Sequence, residues 1–212
     1  MLRLLLSTCL LPFLFAAPLR AQYVTEVFVN DDNVAHEIWL GDTVALDGKL
    51  TYFSYTRFRV NHGDQDLNEL LSFVSLTYNL SASWGLIGGG NYTFGRFLPL
   101  AGISFQTGGD NFYLYVSPYL VFDADVQLET FLLLQYFPRL SDRWGGFGQL
   151  LLTPNLGGDG LNFVDQSLRL GLDRNGWQFG LGLDVLGLGI PDGSERRTEW
   201  STSLGVFGRR VF

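Results

Sequence analysis

The chain has 212 residues, a formal charge of −7 and a single cysteine, Cys9. That length suits one domain, and the acidic balance argues against a nucleic-acid partner. A composition 47% hydrophobic and 15% aromatic, with 26 glycines, suits a soluble globule as well as a membrane protein, so hydrophobic periodicity has to decide between them.

Residues 1–21 read as a secretory signal peptide. Arg3 gives a short positive start, Leu4 to Ala17 is an almost unbroken apolar run, and Ala21 offers a small residue at a cleavage position before Gln22. The run is too short for a comfortable membrane helix. A lipidated N-terminus at Cys9 fits poorly, because Thr8 precedes it and the apolar run continues past it. The ending Arg20-Ala21-Gln22 resembles signal-peptide ends common in Bacteroidota. Cleavage there removes Arg3, Arg20 and no acid, taking the formal charge from −7 to −9. The mature chain then has no cysteine, so it must be stable through pairing and packing alone. Beyond residue 21 no stretch approaches 18 uncharged apolar residues, which excludes a transmembrane helix.

Residues 22–47 form a separate N-terminal segment that alternates poorly: Glu26, His36 and Glu37 mix with Val27, Phe28, Ile38 and Trp39. Two arrangements suit it. One is an extra hairpin turning at Asp31-Asp32-Asn33; the other is a plug folded into an interior.

Residues 48–212 read as ten strands of about ten residues, the length a tilted strand needs to cross a bilayer. They fall near 49–60, 70–80, 84–94, 97–107, 111–122, 126–137, 144–153, 164–173, 176–186 and 199–212. Turn chemistry separates them, as at Asn79-Leu80-Ser81, Thr107-Gly108-Gly109-Asp110-Asn111, Asp123-Ala124-Asp125 and Asp173-Arg174-Asn175-Gly176. Within a strand alternate residues face opposite sides. Val126, Leu128, Thr130, Leu132, Leu134 and Tyr136 oppose Gln127, Glu129, Phe131, Leu133 and Gln135; Trp177, Phe179, Leu181, Leu183 and Val185 oppose Gln178, Gly180, Gly182 and Asp184. One face is apolar and the other is polar, small or aromatic, with Glu129, Arg169 and Asp184 all on the polar face. A soluble sandwich also alternates, but it normally carries charge on its outer face, where this chain has mostly Gly, Ser, Gln, Asn and Tyr. The pattern predicts an all-β, antiparallel, up-and-down transmembrane β-barrel of ten strands, or twelve if residues 22–47 add a hairpin. Pro118 falls mid-strand on the lipid face and predicts a bulge or a gap in the ladder.

Connection lengths agree with this reading. Asn61–Glu69, Pro154–Phe163 and Gly187–Thr198 are the longest, and all emerge at one end; those at the other end, Ser81–Ser83, Gly108–Asp110, Pro138–Arg143 and Arg174–Asn175, are uniformly short. Outer-membrane barrels have short periplasmic turns and longer outer loops, which places both termini on the periplasmic side. Trp84, Trp144 and Trp177 each begin a strand after a periplasmic turn, as an interfacial aromatic belt would. The terminal Phe212 closes an alternating strand and resembles the β-signal read by the outer-membrane barrel assembly machinery. Arg210 departs from that signal, at a boundary position where an Arg can snorkel. At the level of class, residues 48–212 resemble small Gram-negative outer-membrane barrels. The resemblance implies residence in the outer membrane, with its lipid and the assembly machinery as partners.

Chemistry is sparse. There are two histidines. His62 lies in the first outer loop with Asp64 and Asp66, and His36 lies beside Glu37 and close to Asp31 and Asp32. Either could serve a lipid or peptide hydrolase at the barrel rim. No Gly-x-Ser-x-Gly turn and no His/Cys spacing for zinc or haem occurs, and Gly85-x-x-Gly88-Gly89-Gly90 lies inside a strand, where glycine on the lumen face makes room for bulky neighbours. No cofactor and no metal are expected. The lumen face carries Tyr113, Tyr115, Tyr119, Phe131 and Phe147 with Arg57, Arg59, Glu129, Asp165, Arg169, Asp173, Asp184 and Arg209. Strand direction puts Arg57, Arg59, Glu129 and Asp184 near the outer mouth, where they are expected to pair as a constriction. The expected function is a non-enzymatic barrel, either a narrow channel or a structural, partner-binding protein. A rim hydrolase using His62 or His36 is the alternative.

Overall fold

The computed structural model describes residues 22–45, 48–63, 68–93, 95–192 and 195–212; the expected signal peptide, residues 1–21, lies outside them. Twelve antiparallel strands close into a barrel: β1 (Gln22–Asn30), β2 (Asn33–Ala45), β3 (Leu50–Asn61), β4 (Glu69–Asn79), β5 (Trp84–Thr93), β6 (Arg96–Gly108), β7 (Phe112–Phe122), β8 (Val126–Tyr136), β9 (Gly145–Gly157), β10 (Gly160–Arg174), β11 (Trp177–Asp192) and β12 (Glu195–Val211). Each strand pairs with its neighbours in sequence, and β1 pairs with β12 from Val24↔Val211 to Asn30↔Gly205. Closure leaves no open sheet edge within the paired region.

The count is twelve, not ten, because residues 22–45 form the extra hairpin rather than a plug. The Asn30 side-chain oxygen accepts from the backbone N–H of Asp32 and Asn33, closing the turn at the predicted place. Alternation is in fact regular there. Glu26, Phe28, Asn30, Ala35, Glu37 and Trp39 are buried in the lumen, while Val27 and Val29 face out.

Two expected outer loops are strands. Pro154–Phe163 is the upper part of a hairpin that turns only at residues 158–159, and of Gly187–Thr198 the described residues 187–192 belong to β11 and 195–198 to β12. Pro154 is tolerated because the β8–β9 ladder is interrupted beside it, between Glu129↔Asn155 and Leu132↔Leu152, while its pairing to Val164 on β10 persists. Hence β9–β12 rise above the rest of the rim as a taller wall. Pro118 produces the predicted gap: the β6–β7 ladder is interrupted between Gly102↔Tyr119 and Phe105↔Val116. The Ser117 hydroxyl donates to the Ile103 carbonyl at 3.0 Å, replacing the N–H that proline lacks. At the opposite end the β10–β11 hairpin turns on Asn175 and Gly176, both at positive φ (53° and 77°), the pairing that a two-residue hairpin turn favours.

The outer surface is a belt of Val and Leu side chains, among them Val74, Leu86, Leu128, Leu170, Leu181 and Val206, all exposed. Aromatic rings flank it: Trp84, Phe112, Tyr136, Trp177 and Phe212 at the end holding the termini, and Phe58, Tyr92, Phe97, Phe122 and Trp200 toward the other. Trp144 stands just ahead of β9 against Phe179, at 6.0 Å between ring centroids, with Arg174 over it. Phe212 ties down the C-terminus through its backbone N–H to the Tyr23 carbonyl and through ring contact with Tyr23. Arg210 snorkels as expected, its guanidinium reaching the Asn175 carbonyl beside Trp177.

Candidate functional site

A twelve-stranded barrel is wider than an eight-stranded one, whose interior ordinary side chains just fill. Closing its bore therefore takes side chains that reach across, and this lumen supplies them in two layers. The first is aromatic and aliphatic. Trp39, Tyr55, Phe73, Ile87, Leu100, Tyr119, Phe131 and Leu133 form one buried cluster. Phe73 of β4 stacks on Phe131 of β8 with ring centroids 6.0 Å apart, Trp39 and Phe53 also meet Phe131, and Phe53 meets Phe73 at 5.9 Å.

The second layer is ionic. Arg169 is fully buried and donates through Nε to Glu26 at 2.8 Å and through Nη1 to Asp184 at 2.6 Å. Arg209 donates to the other oxygen of Glu26 at 2.7 Å and to Gln149 at 2.7 Å. Arg57 pairs with Asp165 at 2.6 Å and with Glu69 at 3.4 Å, and Arg59 joins Glu69 at 3.3 Å to Asp184 at 3.8 Å. Every one of these guanidinium groups thus faces at least one carboxylate, the condition under which buried charge is tolerable. Phe28 packs under Arg169, 4.1 Å from ring centroid to guanidinium carbon. The ring fits because Gly182 and Gly205 lie beneath it: a Cβ on either would come within 3 Å of it.

Three of the four expected constriction residues belong to this network: Arg57, Arg59 and Asp184. Glu129 does not. It accepts from the Tyr119 hydroxyl, from Asn155 at 2.7 Å and from Asn91 at 3.2 Å, and no guanidinium pairs with it among the described residues. Neutral donors on β5, β7 and β9 solvate it instead. Glu26, which holds two arginines, and Glu69 were absent from the expected set. Glu26 was hidden because His36, an outward residue on β2, blurred the alternation of its segment.

Among the described residues neither histidine is paired with a carboxylate. His36 points outward, its Nε2 2.8 Å from the Thr25 hydroxyl, on the opposite face of β2 from the buried Glu37, whose carboxylate accepts from the Trp39 indole at 3.2 Å. The His62 ring is exposed, and its loop neighbours Asp64 and Asp66 lie outside the described residues. No group of His, Cys, Asp and Glu capable of holding a metal occurs among the described residues. The inner-face assignment of the glycine run holds for Gly85 and Gly89 only; Gly88 and Gly90 face outward, Gly90 beneath the Phe97 ring. At the outer rim Arg96 pairs with Asp123. The Ala124 backbone N–H, and then Arg96, hold the Asp123 carboxyl below its usual range.

Below the aromatic layer, at the end holding the termini, the lumen opens into a cup of about 930 Å³. Trp39, Phe53, Phe131 and Leu133 form its floor, and its wall carries Thr51, Thr77, Asn79, Gln106, Gln135 and Gln178.

Charged side chains line the inside of this barrel, and bare Leu, Val and aromatic side chains cover the outside. Water would leave an apolar belt of that extent uncovered; a bilayer covers it, and closed barrels with this inversion are the spanning structures of outer membranes. The chain is an outer-membrane β-barrel. No family model matches it, and no curated protein is significantly similar to it in sequence. Among solved structures it is similar to the NanC porin (10% identity, 91% of this chain and 99% of that one, TM-score 0.47). It is also similar to the KdgM porin, solved in complex with disordered oligogalacturonate (10% identity, 90% and 99%, TM-score 0.47), and to a bacterial polysaccharide outer-membrane secretin (10% identity, 91% and 97%, TM-score 0.39). At these values the likeness is one of barrel architecture only.

Proposed function

We propose that this protein is a non-enzymatic outer-membrane barrel whose bore is shut across its middle and outer half, and whose accessible working surface is the cup at the end holding the termini. One observation carries this reading: Arg169, Tyr119 and Phe28, on β10, β7 and β1, are each 2% exposed or less although all three project into the bore. An open channel would leave such side chains wet. The cup faces the periplasm in this reading, because the tall β9–β12 wall stands at the opposite end, and Phe212 sits where the barrel assembly machinery would engage the last strand.

The ionic layer is the seal. Arg57, Arg59 and Asp184 supply its outer part, and Glu129 closes the β5–β7–β9 side through neutral donors. Single-channel recording of the purified protein in a planar bilayer tests the reading. The wild type is expected to give no steady conductance. The double variant Arg57→Ala/Arg59→Ala leaves Glu69 and Asp165 unopposed and is expected to admit a cation-selective leak. Steady conductance by the wild type would overturn the closed-bore reading. A silent double variant would move the seal to the aromatic layer.

A further inference from the structure

The cup differs from the rest of the lumen in offering no free cation: its one arginine, Arg209, is already paired with Glu26, and Asp42 keeps Oδ2 without a partner among the described residues. Of the charged residues lining it, Asp42 sits at the rim with one oxygen held by the Thr43 N–H, and Arg209 is engaged by Glu26 and Gln149 at the floor. The chain has 21 acidic residues, yet the wall presents amides and hydroxyls instead. Gln178 is 4% exposed; its Nε2 donates to Asp173 at 2.9 Å while its Oε1 has no partner among the described residues. An acceptor in that state normally marks a place for water or a ligand donor. Gln135 uses its Nε2 on Gln149 at 2.9 Å, and the Gln106 Oε1 takes the Tyr113 hydroxyl at 3.2 Å, so the amides are held in place by neighbours while parts of them still face the cup.

We propose that the cup is a binding site for a short neutral oligosaccharide. This rests on the closed-bore reading, since only a floored cup retains a ligand. Its volume lies within the roughly 300–1,000 Å³ of small-molecule sites. An anionic ligand would meet no free cation there and would face the Asp42 carboxylate. A purely aliphatic ligand would strip water from the wall amides without replacing their hydrogen bonds, which is costly. A neutral sugar satisfies both surfaces: its hydroxyls replace water on Gln106, Gln135 and Gln178, and the C–H faces of its rings lie on Trp39, Phe53 and Phe131.

The test uses the whole mature protein in nanodiscs, titrated calorimetrically and by intrinsic tryptophan fluorescence. Maltotetraose, cellotetraose and chitotetraose are compared with a tetrasaccharide of uronic acids and with a fluorescent fatty acid. At least one neutral tetrasaccharide is expected to bind saturably below about 1 mM, with the uronate at least ~10-fold weaker. Gln106→Leu/Gln135→Leu is expected to weaken sugar binding at least ~10-fold while keeping the wild-type shift in gel mobility between unheated and boiled samples, which reports the folded barrel. The proposal is overturned by absence of saturable binding across the neutral sugars, by equal affinity for the uronate, or by a fatty acid that binds in preference and is indifferent to the glutamine substitutions. Each of these leaves the bilayer result untouched, so failure of the sugar site and failure of the closed bore are separate outcomes.

Discussion

The two halves of this lumen are built from the same alternating strands, yet they solve opposite problems. In the middle and outer half, long charged and aromatic side chains meet across the bore, and Arg169, Glu26 and Phe28 are left with almost no exposed surface. In the half holding the termini, Thr, Asn and Gln share the wall with Tyr113, Tyr115 and Phe137, and a cup of about 930 Å³ stays open. The difference lies in reach and charge rather than in fold. Arginine paired with carboxylate spans the gap between β10, β1 and β12, whereas glutamines and threonines line their own wall. A twelve-stranded barrel can therefore be shut at one level and hollow at another without any plug domain.

Deletions in the ionic layer should therefore be the most damaging. Arg169→Ala leaves the buried Glu26 with Arg209 alone and Asp184 with only Arg59 at 3.8 Å, and is expected to cost about 3–5 kcal/mol, read from urea unfolding in detergent or lipid. A loss under about 1 kcal/mol would mean that the layer is hydrated. Next in size is the outer surface. Leu181, which is 62% exposed on the lipid side, should lose roughly 2–4 kcal/mol on change to Arg. Leu133→Arg, pointing into the cup, should escape that depth-dependent penalty; equal losses at the two positions would mean that the face assignment is wrong. Smaller still is the repair beside Pro118: Ser117→Ala uncovers the Ile103 carbonyl and should cost about 1–3 kcal/mol. Smallest is the cup wall, where Gln135→Leu should change stability by less than about 1 kcal/mol, because the Gln149 oxygen that loses the Gln135 amide keeps its bond from Arg209. A cup substitution as damaging as Arg169→Ala would erase the distinction between the halves.

Much of the barrel is legible in the chain because a bilayer and a packed lumen impose different solvents on alternate residues. The strands 70–80, 84–94, 111–122 and 126–137 lie within about two residues of β4, β5, β7 and β8, and the outward Leu132 and Leu134 and inward Phe131 and Leu133 fall on the expected faces. Legibility fails where that contrast disappears. Above the membrane both faces of β9–β12 meet water, so the alternation fades, and Pro154, Gly157 and Pro191 look like loop residues although they sit in strands. It fails again at His36, an outward polar residue near the barrel end that hid the regular alternation of β2. The pairing of lumen charges was only partly readable. Parity placed Arg57, Arg59, Glu129 and Asp184 inside, but strand tilt decides which of them meet. That tilt brings Asp165 to Arg57 and leaves Glu129 to Tyr119, Asn91 and Asn155.

The contrast between a shut half and an open half is tested most directly by thiol accessibility. With the sole native cysteine at position 9, Cys9→Ser gives a cysteine-free background in which single cysteines can be placed at Thr51 and Gln135 in the cup and at Ser75 and Ser167 in the packed region. In the folded barrel, Thr51→Cys and Gln135→Cys should react rapidly with a membrane-impermeant maleimide, and Ser75→Cys and Ser167→Cys should react only after boiling in SDS. Equal, rapid labelling at all four positions of the folded barrel would contradict a bore that is closed above the cup.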